Sequence, residues 1–425
     1  MWIEMEPLRA IKGTVDILPA EAPYWHRIET AVREAMRLFG YHEIRTPIFE
    51  ETGLFKRSIG EDTDIVGKEM YSFTDMGGRS LTLRPEGTAS VVRAFVEHSL
   101  DQQGLPQKLW YMGPMFRQER PQKGRQRQFH QFGVETIGSP SPMVDAEVMH
   151  LFEVIAGKLG LGDRKYLINC LGGDESRENY RAALIAFLDT VGDALCEDCL
   201  RRRATNPLRV LDCKKDVCRT ALDTDALPRT IDYLTPADRA QFDAVLRSLG
   251  DLDIAYAIEP KLVRGLDYYT GTVFEMQLAG LGAQAAVMGG GRYDKLIGQL
   301  GGKDLPAVGF ACGMERLILA MKAREEQPVE DGGLDAYLIV PDAAAQEVGL
   351  TCLSSLRNAG FAADMDYLGR SVKAQMKAAD RAGARFAAIL EPDGGVTVKE
   401  MGTAVQNTMG FEQFLDFLRS AGKES

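Results

Sequence analysis

Arg117, Arg125, Arg264 and Arg316 are the side chains of this sequence best suited to gripping a polyanion. Each offers a planar fork of N–H donors that meets phosphate or carboxylate oxygens two at a time and keeps its charge when buried. Arg117 closes a strand-like run, and Arg125 and Arg127 flank the return of a polar loop. Arg264 leads Gly265-Leu266-Asp267-Tyr268-Tyr269, and Arg316 follows Gly313-Met314-Glu315 at the start of a helical run. Several such forks aimed at one place would suit a triphosphate. The phosphate loop Gly-x4-Gly-Lys-Ser/Thr is absent, and Gly289-Gly290-Gly291-Arg292 alone is a weak signal that also reads as a simple turn.

The run Arg127-Gln128-Phe129-His130-Gln131-Phe132-Gly133-Val134-Glu135 adds a surface for those forks to face. A strand sends alternate side chains to opposite faces, so one face carries Arg127, Phe129, Gln131, Gly133 and Glu135. Phe129 could stack a planar ring, Gln131 and Glu135 could hold a small polar ligand, and Gly133 would leave room for a ligand to lie on the sheet. Ordinary polar alternation on a solvated face is the other reading. His130 falls on the opposite face, and none of the five histidines is paired at ligand spacing. Cys196-x2-Cys199 and Cys213-x4-Cys218 form a candidate four-thiolate zinc site, with the second pair wider than usual, or else reduced, partly buried thiols. Cys170, Cys312 and Cys352 read as core thiols.

These residues need elements to position them. Trp25, Ile28, Val32, Met36 and Phe39 recur at helical spacing before Gly40, and Ile44–Phe49 is an extended run bent by Pro47. Glu69–Arg84 reads as a hairpin turning at Asp75–Gly78, followed by a helix from Glu86 to His98. Leu109–Arg117 and Arg127–Gly138 are two strands. Residues 175–250 turn helical, and strands return at Thr272–Leu278 and Ala285–Met288. A polar linker precedes an alternation of strands (Ala336–Val340, Ala363–Asp366, Phe386–Leu390) and helices (Ala344–Asn358, Ser371–Ala382), the pattern of a small, mostly parallel α/β domain.

With 425 residues, 45% of them hydrophobic, the chain is long enough for several domains and is not intrinsically disordered. It has no apolar run near the ~18–20 residues of a membrane helix, and acids stand where a signal peptide would be basic; the expectation is a soluble, cytoplasmic protein. A net charge of −11 argues against a non-specific nucleic-acid coat but not against an enzyme acting on nucleic acid. Two basic clusters, Arg117–Arg127 and Arg370–Arg385, run against that balance, although such runs are commonly solvated faces.

Five strings, taken together, resemble those of bacterial histidyl-tRNA synthetases, a family of class II aminoacyl-tRNA synthetases. They are Lys12–Pro19, Arg84-Pro85-Glu86-Gly87-Thr88, Phe116–Arg125, Arg264–Gly271 and Gly313-Met314-Glu315-Arg316. The resemblance covers nearly the whole length and implies an α+β catalytic domain with a six-stranded antiparallel sheet, the class II synthetase fold. It places that domain in two parts, 1–174 and 253–325, around a mainly helical insertion at 175–252. A linker at 326–333 would lead to an α/β anticodon-binding domain at 334–425. The first helix with Ile44–Glu50 would form a homodimer interface.

The implied reaction joins histidine and ATP into histidyl-adenylate and pyrophosphate, then moves histidine to the 3′ end of tRNA(His). By resemblance, Arg264 and Arg117 would be catalytic, gripping the carboxylate and α-phosphate. Glu86, Thr88, Gln131, Glu135, Tyr268, Tyr269 and Tyr293 would surround the histidine. Arg117, Glu119, Arg125, Phe129 and Arg316 would bind ATP, with magnesium on the departing phosphates and Glu119 on the adenine amino group or the metal. Arg120 and Gln122 would meet the tRNA acceptor end. The domain at 334–425 has nine Lys and Arg against twelve Asp and Glu, so anticodon binding would need the local patch Arg370, Lys373, Lys377 and Arg381. The competing reading is a non-catalytic, histidine-sensing regulatory subunit of ATP phosphoribosyltransferase. Such a regulator typically lacks the anticodon domain and has eroded arginine strings, whereas a C-terminal domain, the basic loop and the Arg264 string are all present here.

Overall fold

The computed structural model describes residues 8–60, 63–121, 124–279, 281, 285–324, 332–403 and 405–421. It divides into two compact units, 1–328 and 329–425.

The larger unit is built on an eight-stranded sheet. Its centre is six strands, each antiparallel to the next, in the order Gln107–Phe116, Gln128–Ile137, Ala307–Gly313, Ala286–Arg292, Thr272–Leu278, Arg164–Cys170. The short strands His42–Glu43 and Tyr256–Ile258 add parallel edges to this expected core. The first helix runs from Ala22 to Leu38 and buries Trp25, Ile28, Val32 and Met36. Gly40 follows at φ 71°, a left-handed turn that glycine takes without a Cβ clash. The hairpin forms as Ser72–Thr74 and Ser80–Leu83, and Phe49–Glu51 joins it as a third strand. The segment between His42–Glu43 and Phe49–Glu51 is irregular around Pro47, which cannot donate to a ladder.

Two sequence expectations are corrected here. Gly289, Gly290 and Gly291 are not a turn; they continue the Ala286–Arg292 strand, paired on both sides. Their small size is used sideways: a Cβ on Gly289 would collide with the Arg264 guanidinium. The gap at Gly133 is not ligand space either, because the Tyr111 ring from the neighbouring strand fills it. Arg292, at the end of the glycine strand, is buried against the buried Asp145, closing the sheet onto the Met143–Lys158 helix.

Between Asp174 and Asp251 the chain is helical, with an apolar cluster of its own that includes Tyr180, Leu184, Leu188, Val210 and Leu222. The smaller unit is a five-stranded sheet ordered Ala363–Met365, Ala336–Ile339, Phe386–Leu390, Gly395–Glu400, Gln406–Gly410. The first three strands are parallel, and the last two, not anticipated from sequence, return antiparallel. No helix among the described residues is long and apolar enough to cross a membrane.

Candidate active site

A cavity of about 1330 Å³ opens over one face of the large sheet. Its floor comes from Gln128–Ile137, where alternation sends Phe129, Gln131 and Glu135 to the same side. His130 faces away, its ring edge-on to Trp25 at 4.8 Å and its Nδ1 3.0 Å from Glu315.

At the deep end, Glu135 is buried. Thr88 Oγ1 donates to its Oε1 at 2.7 Å, and the Tyr293 hydroxyl donates to its Oε2. Burial pushes the Glu135 carboxyl up to about 8, against the lowering effect of those two bonds. Glu86 is buried beside it and accepts from the backbone N–H groups of Thr88 and Ala89 at 2.6 and 2.9 Å, at the start of the Thr88–Glu97 helix. Burial raises its proton affinity too. Tyr268 packs against Tyr269 and Tyr293, ring centroids 4.7 and 5.5 Å apart. Among the described residues, Gln131 Oε1 is buried without a hydrogen-bond partner, an acceptor aimed into a pocket otherwise rich in carboxylates and hydroxyls.

The arginines line the same cavity. Arg117 is anchored through Nε to the Pro85 carbonyl at 2.9 Å, and its guanidinium lies over the Phe129 ring, 5.2 Å from the centroid. Arg125 pairs with Glu119 at 2.9 Å, and Arg117 stands 3.8 Å from the same carboxylate. Arg316 donates to the Ala286 carbonyl. Burial and the like charges of Arg125 and Arg117 depress its proton affinity, so the three are electrostatic neighbours. Arg264 pairs with Glu275 at 2.6 Å across the glycine strand. All of these side chains line the one cavity.

Other sequence candidates lie elsewhere. Arg120 is exposed on the loop after Phe116, and Gln122 lies outside the described residues. In the smaller unit Lys373, Lys377 and Arg381 are exposed at i, i+4 and i+8 of the Val372–Arg381 helix. Arg370 is committed to the buried Asp366, so the free patch is three residues rather than four. The Sγ atoms of Cys196, Cys199, Cys213 and Cys218 all lie within 4.8 Å of one another.

Sequence reasoning missed Glu275 and Tyr111. A glutamate among the apolar residues of Thr272–Leu278 was a usable signal for the first; Tyr111, inside an aromatic strand, offered none.

Comparison with known proteins bears on this arrangement. Residues 13–317 match the family model described as histidyl-tRNA synthetase, and 335–421 match an anticodon binding domain. The chain is 50% identical over 404 residues to a histidine–tRNA ligase of Halothermothrix orenii, covering 94% of this chain and 96% of that protein. It is 46% identical over 419 residues to the histidine–tRNA ligase of Bacillus subtilis, covering 97% and 98%. The crystal structure of apo S. aureus histidyl-tRNA synthetase superposes with a TM-score of 0.82 at 38% identity, covering 97% of this chain and 100% of that one. With the antiparallel sheet, the arginine-lined cavity and both family matches in place along one chain, the protein belongs to the histidyl-tRNA synthetase family.

Proposed function

We propose that the sheet cavity is where this chain, a histidine–tRNA ligase, joins histidine to ATP before passing the histidyl group to tRNA. The observation that carries the reading is the convergence of Arg117, Arg125, Arg264 and Arg316 with the Glu135 pocket in one cavity. The same intact arginine set, with the anticodon-binding match, favours the ligase over a histidine-sensing regulator.

The chemistry follows from charge. The histidine carboxylate is already a nucleophile near neutral pH, so the first step needs no general base. An oxygen of that carboxylate bonds to the α-phosphorus of ATP, the bond from that phosphorus to the bridging oxygen breaks, and pyrophosphate leaves. The barrier is the approach of two anions. Arg117 and Arg264, held by Pro85 and Glu275, are placed before reaction and cancel that charge without reorganising. Arg125 and Arg316 take the outer phosphates or adenine, and Phe129 stacks the adenine ring. Glu86 and Thr88 hold the substrate ammonium. Gln131 contacts the substrate, and Glu135 with Tyr269 and Tyr293 recognises the imidazole, with Tyr268 behind them. A pocket with that many committed polar groups rejects side chains that leave them unpaired.

Two metals fit. Glu119 and Glu69 both line the cavity, and burial, then the charge of Glu119, raises Glu69's proton affinity; two carboxylates on the same cavity, with Glu119 also paired to Arg125, are oxygen donors that suit magnesium, which would neutralise the departing phosphates. A tetrahedral zinc–thiolate site, with Zn–S near 2.3 Å, needs sulfurs about 3.8 Å apart. Cys196 and Cys213 Sγ stand 4.0 Å apart, and all four sulfurs are within reach. Zinc there would be structural, closing the insertion.

The domain division given above, with catalytic parts 1–174 and 253–325, insertion 175–252, linker 326–333 and anticodon-binding domain 334–425, belongs to the same proposal. So do acceptor-end contacts from Arg120 and Gln122 and anticodon contacts from Lys373, Lys377 and Arg381, with Arg370 bracing that helix's start. Exposed Ile48, Phe49 and Phe73 support a homodimer through the Ile44–Glu50 region. Seven free thiols support a reducing, cytoplasmic setting.

The test is ATP–pyrophosphate exchange with each amino acid in turn, followed by charging of tRNA(His). Exchange with histidine alone, and histidine appearing on the tRNA, is the expected result. Exchange with another amino acid, or none with histidine, contradicts it.

A further inference from the structure

The helical insertion reaches the active-site strings at a point that the roles above leave unused. Arg209 sits in the short helical turn Pro207–Val210 and is buried. Its Nε and Nη2 donate to Asp267 Oδ1 at 3.0 and 2.6 Å, and its Nη1 donates to the backbone carbonyl of Arg264 at 2.9 Å. Asn206 Nδ2 adds a bond to the same Asp267 oxygen at 3.2 Å. The Asp267 N–H donates in turn to the Ile59 carbonyl. All three guanidinium nitrogens of one insertion residue are therefore spent on the Arg264–Asp267 segment.

That segment is neither helix nor strand, so no ladder fixes its backbone. Apart from the Asp267 N–H bond to Ile59, side-chain bonds such as those of Arg209 and Asn206 hold it. Arg209 is itself backed by the insertion core. Val210 and Leu211 share a buried cluster with Cys199 and Cys218, and Cys196, Cys213 and Val263 pack against it. Val263 immediately precedes Arg264, so this core packs against the chain just before the segment that Arg209 holds.

We infer that Arg209 is a positioning residue for histidine activation: it holds the Arg264 backbone and the Asp267 carboxylate so that the Arg264 guanidinium stays over the cavity. The insertion thereby takes part in the chemical step through the hold of Arg209 on the Arg264–Asp267 segment. The inference rests on the assignment of histidine activation to this cavity. A lysine at 209 could replace one of the three bonds but not the fork that makes them together.

The experiment compares the full-length wild type with Arg209→Met and Arg209→Lys in histidine-dependent ATP–pyrophosphate exchange, with thermal melting and zinc content measured on the same samples. Arg209→Met is expected to melt cooperatively and keep the wild-type zinc content. Its kcat should fall about a hundredfold, as misplacement of a reacting group does, while its KM for histidine stays within about threefold. Arg209→Lys should recover part of the kcat. A folded Arg209→Met with kcat within about twofold of wild type overturns the inference. Should that variant fail to fold, Asp267→Asn removes the charge that Arg209 grips, and a kcat within about twofold of wild type there overturns it equally. Absence of histidine-dependent exchange in the wild type would instead strike the assignment of the cavity, so the two failures are told apart.

Discussion

Arg264 donates from Nη1 to Glu275 Oε2 at 2.6 Å, and the pair lays the guanidinium against the face of the glycine strand at Gly289. Gln277 donates to the other Glu275 oxygen at 2.9 Å, so the carboxylate is held from both sides. Glu275→Gln keeps the shape and the Gln277 neighbour but weakens the charge-assisted bond. Its kcat in exchange should fall about tenfold while its melting temperature stays near wild type. An unchanged kcat would mean that Arg264 holds its pose without Glu275.

Gly289→Ala tests the same pose from below. The added methyl would meet the Arg264 guanidinium, which would have to leave Glu275 or tilt out of the cavity. Strand geometry tolerates alanine, so the fold should persist. Exchange activity is expected to drop by about tenfold or more, and a crystal structure of the variant should show Arg264 moved. Wild-type activity with Arg264 unmoved would remove this constraint from the account.

Glu135 links the site to pH. Its carboxyl is pushed up to about 8 by burial, above its ordinary value. Between about pH 4.5 and that value the folded protein holds a proton that the unfolded chain has released. Stability contributed by the protonated carboxyl is therefore full at low pH and declines as pH rises towards 8. Glu135→Gln cannot ionise, so the difference in melting temperature, variant minus wild type, should grow from pH 5 to pH 8. Its KM for histidine should rise about tenfold or more, because the amide puts an N–H donor where the carboxyl offers the substrate ring an oxygen acceptor. A pH-independent difference in melting temperature would contradict the role of burial.

Cys199 and Cys218 are buried members of the four-thiol group. Zinc analysis of purified protein should give about one metal per chain, the stoichiometry of a single closed four-thiolate site. Cys199→Ser should lose most of that metal and melt earlier. A metal-free wild type with the same melting temperature in the presence and absence of a chelator would show the thiols to be plain core residues.

Lys373, Lys377 and Arg381 form one exposed row on a helix. Replacing all three with alanine should raise the KM for tRNA(His) about tenfold and flatten its salt dependence, since each phosphate contact contributes to the slope. Exchange, which needs no tRNA, should be unaffected. An unchanged KM for tRNA would move the anticodon surface elsewhere.

How much of this could be read from sequence depended on the distance over which each feature is encoded. Alternation along Gln128–Ile137 is local, and from sequence alone it puts Phe129, Gln131 and Glu135 on one face. The helix before Gly40 and the hairpin at Asp75–Gly78 were legible for the same reason. Gly133 and Gly289 were misread because their neighbours, Tyr111 and Arg264, come from other strands and loops. The Arg209–Asp267 bond joins residues 58 positions apart and has no periodic trace. Arg370 was counted with the free basic patch because the buried Asp366 beside it looks like any loop aspartate in sequence. The roles given to the arginines came from resemblance to a known family, not from spacing.

The most direct test is single-turnover formation of histidyl-adenylate by the wild type and by Arg264→Ala at saturating histidine and ATP, alongside thermal melting of both. The account predicts a loss of about a hundredfold or more in the rate of adenylate formation, the scale on which removal of a pre-set charge-stabilising donor acts, with melting little changed. An Arg264→Ala rate within about threefold of the wild type would contradict the claim that converging fixed arginines bring the two anions together.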